Sequence, residues 1–111
     1  WSPLGPVAMN CAAPDDGNMY LLGRIARPDQ VQQFLAPMVA GHRRSVFAMT
    51  EPDGAGSDPG QLATTAVFNG NDYEINGLKW LITGANGART WIIMANVPEN
   101  PHGPHGPTLF L

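Results

Sequence analysis

The sequence predicts an α+β chain in which two short helices precede an antiparallel β-sheet, barrel-like and incomplete. Three observations carry that expectation. Val31, Phe34, Leu35, Met38 and Val39 recur at the spacing of one helical face. After Arg43-Arg44 the pattern changes from the helical period to that of strands and stays so to Leu111. The β-prone runs are joined by short Gly, Asn, Asp and Pro clusters, as in a meander.

Residues Trp1–Pro14 are rich in Pro, Ala and Gly and have no clean period, so they read as a loop or a frayed helix end. Asp15 and Asp16 then stand before Met19, Leu22 and Ile25, which predicts an N-capped helix ending near Ala26. Pro28 suits a first helical position and Asp29 complements the dipole in the first turn of the second helix. Gly41 is its expected stop, and Pro37 should kink it or mark its last turn. Strands are expected over Ser45–Thr50, Gln61–Phe68, Tyr73–Asn76, Leu78–Thr83 and Trp91–Ala95, the last of the fully buried kind. Asn69-Gly70-Asn71-Asp72 has the residues of a hairpin turn, and Gly77 marks a turn or bulge. Pro98–Pro107 is an excursion loop before a final strand.

Apolar content of 43% supports a real core, and a formal charge of −3 argues against a basic nucleic-acid face. No apolar run approaches the ~20 residues that span a bilayer, and no signal-peptide pattern is present. The single cysteine, Cys11, excludes an internal disulfide and a Cys-rich metal site, and reads as a small buried hydrophobe. His102 and His105 share a proline loop with no cysteine or carboxylate beside them, so no metal is expected. The opening on Trp1 and the close on an apolar run without a cap read as a piece of a longer chain.

Function concentrates in Phe47–Asp58, F-A-M-T-E-P-D-G-A-G-S-D. Pro52 pushes Glu51 into extended backbone, so a strand runs straight into the loop. Gly54 and Gly56 let backbone N–H groups approach an anionic or carbonyl oxygen, and Thr50 and Ser57 add hydroxyls. Such a segment suits a flat, polar-edged or phosphorylated ligand; by composition alone it is more often an ordinary turn-rich connection.

The series Thr50-Glu51-Pro52, Gly54-Ala55-Gly56-Ser57-Asp58, Asn76-Gly77-Leu78-Lys79, Ile82-Thr83 and Ala95 resembles that of the acyl-CoA dehydrogenases, in order and spacing, from Asn18 to Leu111. Asp53 and the Asn10–Met19 lead-in resemble most the subfamily of members ten and eleven. The resemblance implies that residues 1–44 are the end of an N-terminal helical domain and 45–111 an incomplete middle β-domain, with a C-terminal helical domain absent. It implies FAD as cofactor, with Phe47, Ala48, Met49 and Thr50 along the pyrimidine edge of the isoalloxazine ring. Leu81, Ile82 and Thr83 would lie against the ring face, the Thr83 hydroxyl near N5, and Ser57 at the mouth of the site near the acyl-CoA thioester tail. The implied reaction is α,β-desaturation of an acyl-CoA thioester, with electrons passed to an electron-transfer flavoprotein by a dimeric or tetrameric enzyme. Its compartment would be the bacterial cytoplasm or a eukaryotic mitochondrion or peroxisome. An acyl-CoA oxidase or flavin monooxygenase on the same scaffold is the alternative, as is a binding module without activity.

The family often carries an aromatic residue immediately before Ile-Thr, where this chain has Leu81; Trp80 stands one residue earlier, on the opposite face if the segment is a strand. No catalytic base is expected within the chain, because the family's base lies in the C-terminal domain. Glu51 reads as a loop-structuring residue accepting N–H groups from the glycine run that follows. Lys79 reads as a solvated strand residue, Arg89 as a loop cap, and Trp80 and Trp91 as core packing.

Overall fold

Helix formation begins at the acidic pair, although by a different device from capping. The computed structural model describes residues 12–52, 56–99, 101, 103 and 105–111, so Cys11, Asp53, Gly54, Ala55 and His102 lie outside the described residues. Helix α1 (Asp15–Ile25) has Pro14 at the N-cap position and no side-chain cap. Asp15 and Asp16 occupy its first turn and Arg24 its last, both favourable to the dipole. Asp15 is buried and turned inward instead of capping.

The second helical segment runs unbroken through α2 (Pro28–Gln30), a π-helical turn (Val31–Leu35) and α3 (Ala36–Val39). The wide turn has a local cause. Pro37 has no N–H to give the Gln33 carbonyl, and the ladder shifts so that the Ala36 N–H donates to the Val31 carbonyl. The Gln33 carbonyl accepts instead from Arg43 Nη1 at 3.2 Å. Gly41 ends the segment at φ 74°; its N–H donates to the Met38 carbonyl and that of His42 to the Pro37 carbonyl, a Schellman pattern.

Among the described residues five strands follow: β1 (Ser45–Ala48), β2 (Thr65–Phe68), β3 (Tyr73–Asn76), β4 (Thr90–Val97) and β5 (Gly106–Phe110). They form one sheet in the order β1-β4-β2-β3, with β5 also on β4. The expected fold class holds, but the sheet is open and mixed, not barrel-like and wholly antiparallel. β2–β3 and β4–β5 are antiparallel, while β2 meets β4 in parallel at Thr65 and Asn96. The physical reason is β4. It is the longest strand and buries Ile92, Ala95 and Val97, so it takes a central place instead of following β3 in a meander.

Residues 61–64 and 78–83, expected in strands, are not. The first begins in a 3₁₀ turn (Pro59–Gln61) capped by Asp58, whose Oδ1 accepts from the Gly60 N–H at 2.8 Å. The second is irregular, and Leu81 takes a left-handed φ of 52° that no strand accommodates.

The chain divides into two compact units: residues up to Phe47 with Thr83–Trp91, and Ala48–Ile82 with Ile92–Leu111. In the first, Leu22, Met38 and Val46 are buried. In the second, Ala66, Ala95 and Val97 form a core against which Tyr73 and Phe110 pack. The β2–β3 hairpin there has the expected turn. Asn69 Oδ1 accepts from the N–H groups of Asn71 and Asp72, and Gly70 takes a positive φ. Among the described residues no helix is long and apolar enough to cross a membrane.

Candidate functional site

The predicted site residues fall in both units. Phe47 and Thr83 belong to the first; Ala48, Met49, Thr50, Ser57, Leu81 and Ile82 belong to the second.

Within the second unit the two predicted segments are tied together. β1 ends at Ala48, and Met49 and Thr50 leave the regular ladder half-buried. Their carbonyls are taken by consecutive residues of the other segment: Lys79 Nζ donates to Met49 O at 2.8 Å, and the Trp80 N–H donates to Thr50 O at 3.1 Å. Among the described residues, the N–H groups of Met49 and Thr50 and the Thr50 hydroxyl, which both donates and accepts, have no hydrogen-bond partner.

Behind this rung lies a buried ion pair. Glu51 Oε1 receives Lys79 Nζ at 2.8 Å and the Thr64 N–H at 2.9 Å, while Oε2 receives the Ala63 N–H at 2.7 Å. Burial pushes the Glu51 carboxyl up, but hydrogen bonds from Lys79 and from the residue 63–64 backbone outweigh it and bring its pKa down to about 2. Glu51 does structure the loop, though not as expected. The N–H groups it accepts lie twelve and thirteen residues on, and toward the glycine run its own N–H donates to Gly56 O at 2.9 Å. Gly56 meets it with φ 54°. Lys79 is no solvated strand residue; only 10% of its side chain is exposed.

Gly77 lets the stretch that carries Lys79 approach Thr64 closely. A Cβ there would come within 2.6 Å of Thr64 Cβ and 2.7 Å of Thr64 Cα. Beyond Lys79 the chain emerges: Trp80 is 46% exposed and Leu81 80% exposed, with Ile82 half-buried. Trp80 is therefore not core packing, nor is Trp91 at 38% exposed. Strand alternation between Trp80 and Leu81 does not apply, because the left-handed Leu81 breaks it. Ser57 is exposed, beside the Asp58 cap. Gln61 Nε2 and the Gly60 N–H, both donating to Asp58, lower its pKa and leave it a structural acid.

In the first unit Thr83 lines a cleft of about 420 Å³ with Pro14, Arg44, Ser45, Asn86 and two glycines, 84 and 87. Two of the lining residues, Arg44 and Ser45, belong to a buried polar network that the local sequence pattern does not reveal. Asp15 Oδ1 accepts from the Ser45 N–H at 2.6 Å and from Ser45 Oγ at 2.7 Å, and Asn18 Nδ2 donates to Ser45 Oγ at 2.9 Å. Arg44 Nε lies 2.7 Å from Asp15 Oδ2. Arg89 is exposed, and its N–H donates to Arg44 O. The sequence signal for this network was a helix-opening Asp with an Asn three residues on, which equally fits a cap.

The family signature "Acyl-CoA dehydrogenase, middle domain" matches residues 46–111. FadE2 of Mycobacterium tuberculosis, named as an acyl-CoA dehydrogenase, is 44% identical over 91% of this chain and 25% of its own length. Acyl-CoA dehydrogenase family member 11 of Homo sapiens is 41% identical over 72% of this chain and 10% of its own. A protein from Mycobacterium abscessus solved as an acyl-CoA dehydrogenase superposes with a TM-score of 0.85 at 39% identity, over 96% of this chain and 26% of its own. A glutaryl-CoA dehydrogenase from Mycobacterium smegmatis, solved in complex with FADH2, gives 0.67 at 32% identity, over 72% of this chain and 20% of its own. The chain thus spans about a quarter of FadE2 and about a tenth of the human relative.

Proposed function

The chain belongs to the acyl-CoA dehydrogenase family, and on that premise we propose that it forms the flavin- and acyl-CoA-contacting part of an enzyme that desaturates acyl-CoA thioesters between the α and β carbons. Residues 45–111 are then the middle β-domain and 1–44 the end of a helical domain. FAD supplies the acceptor for the β-hydride; its electrons pass on to an electron-transfer flavoprotein.

The residues fit a flavin. The observation that carries the reading is the donor set left at Met49 and Thr50 once Lys79 and Trp80 have taken their carbonyls. The pyrimidine edge of an isoalloxazine is rich in acceptors, and donors held there favour the added negative charge. In this reading Phe47, Ala48, Met49 and Thr50 line that edge. Leu81 and Ile82 present apolar surface to the ring face, and the Thr83 hydroxyl is assigned to N5. Ser57, exposed at the loop, is assigned to the acyl-CoA tail. Glu51 is excluded as the base that takes the α-proton, because its two oxygens already accept three donors and its pKa lies near 2.

Anaerobic mixing of the FAD-loaded holoenzyme that carries this chain with a panel of acyl-CoAs tests the proposal. The expected result is flavin bleaching that persists in air until an electron acceptor is added. Rapid peroxide formation would mark an oxidase instead, and no bleaching with any thioester would end the reading.

A further inference from the structure

We propose that the Glu51–Lys79 ion pair is a positioning element for the reaction: it fixes the Met49–Thr50 backbone to the Trp80–Ile82 segment and so sets where both segments stand toward the flavin. The inference rests on the flavin reading above and goes beyond it, because it gives the alignment to two side chains that act through the backbone.

The segment after Asn76 has no regular secondary structure, so no ladder holds it in register. Two hydrogen bonds tie it to residues 49 and 50, and one of them is donated by the Lys79 ammonium. That ammonium is fixed in turn by Glu51, whose carboxylate also accepts the N–H groups of Ala63 and Thr64. Glu51 and Lys79 therefore join three stretches of chain: 49–52, 63–64 and 77–80. The residue that follows this anchor is Leu81, non-glycine, left-handed and 80% exposed. Such a conformation persists only where its surroundings over-determine it, and Leu81 has almost no packing of its own. The anchor one and two residues upstream supplies that constraint. With it released, Leu81 is free to return to negative φ, and Ile82 and its neighbours turn with it.

The test uses the holoenzyme with Lys79→Met, Glu51→Gln and Lys79→Arg. It reads the visible spectrum of bound flavin, the anaerobic reduction rate per bound flavin, KM for the acyl-CoA, and amide exchange at Trp80 and Leu81. Lys79→Met is expected to lower the reduction rate about 10- to 100-fold, as misplacement by about an ångström does. KM should stay within about threefold, the flavin spectrum should shift and exchange at Trp80 should rise. Lys79→Arg keeps charge and donors and should recover most of the loss. If Lys79→Met does not accumulate as folded protein, the isosteric Glu51→Gln is decisive: a slower rate with an altered spectrum supports the proposal. A merely structural pair would lower thermal stability and flavin occupancy while leaving rate per flavin and spectrum as in wild type, and that result overturns the proposal alone. A wild-type holoenzyme that acyl-CoA does not bleach overturns it together with the flavin reading.

Discussion

Asp15 and Glu51 are both buried acids facing a cation, and they solve the same problem differently. Asp15 keeps its charge satisfied mainly by neutral donors, the N–H and hydroxyl of Ser45, while Arg44 remains 46% exposed to water. Glu51 shares its burial with its cation, since Lys79 is nearly as enclosed as the carboxylate. The first arrangement pins a helix start to a strand start in one unit. The second pins irregular backbone, with no ladder to fall back on, in the other. Each acid keeps two other donors if its cation is removed, so the difference lies in the cation: one left half in water is screened and its loss costs little, whereas one buried with its acid is not screened.

The largest test of that contrast is Lys79→Met. It leaves the buried Glu51 carboxylate with two N–H donors and no cation and should cost about 3–5 kcal/mol, read as a fall in the holoenzyme's thermal midpoint. A cost below about 1 kcal/mol would erase the distinction from a surface pair.

The pH dependence of stability comes next. With the Glu51 pKa lowered from 4.5 to about 2, its stabilisation is complete above pH 4.5 and is lost as pH falls from there to about 2. Acid denaturation of wild type against Glu51→Gln should show this window in the first and not in the second. Equal slopes would remove Glu51 from the account.

Gly77→Ala presses on the backbone that the pair holds. The added methyl meets Thr64 at its Cα as well as its Cβ, so a cost of about 1–3 kcal/mol is expected, and trimming Thr64 to Ala should recover only part. The smallest effect belongs to Arg44→Gln, at about 1 kcal/mol in the same thermal assay, since the Arg44 guanidinium stands half in water and its attraction for Asp15 is screened there. A loss equal to that of Lys79→Met would contradict the contrast.

What was legible in the sequence was local. Asn69–Asp72 announced its hairpin because Asn side chains and Gly70 make the turn by themselves, and Gly41 announced its helix end for the same reason. Pro37 gave notice of an irregularity, though not of the π turn that absorbs it. The misreadings were of long-range partners. Asp15 looked like a cap because its partner Ser45 is thirty residues away, and Lys79 looked solvated because Glu51 is twenty-eight away. Leu78–Thr83 looked like a strand by composition, yet Gly77 packed on Thr64 and the left-handed Leu81 set its path. The site was legible as a set of segments, and their tie through Lys79 and Trp80 was not.

In the proposed reading Met49–Thr50 and Leu81–Thr83 contact a flavin, and the hydroxyl of Thr83 is the group whose removal bears on that contact first. In the holoenzyme, Thr83→Ala should slow anaerobic flavin reduction by acyl-CoA at least roughly tenfold, as loss of one preorganised donor does, with the thermal midpoint unchanged. Reduction at the wild-type rate would contradict the assignment.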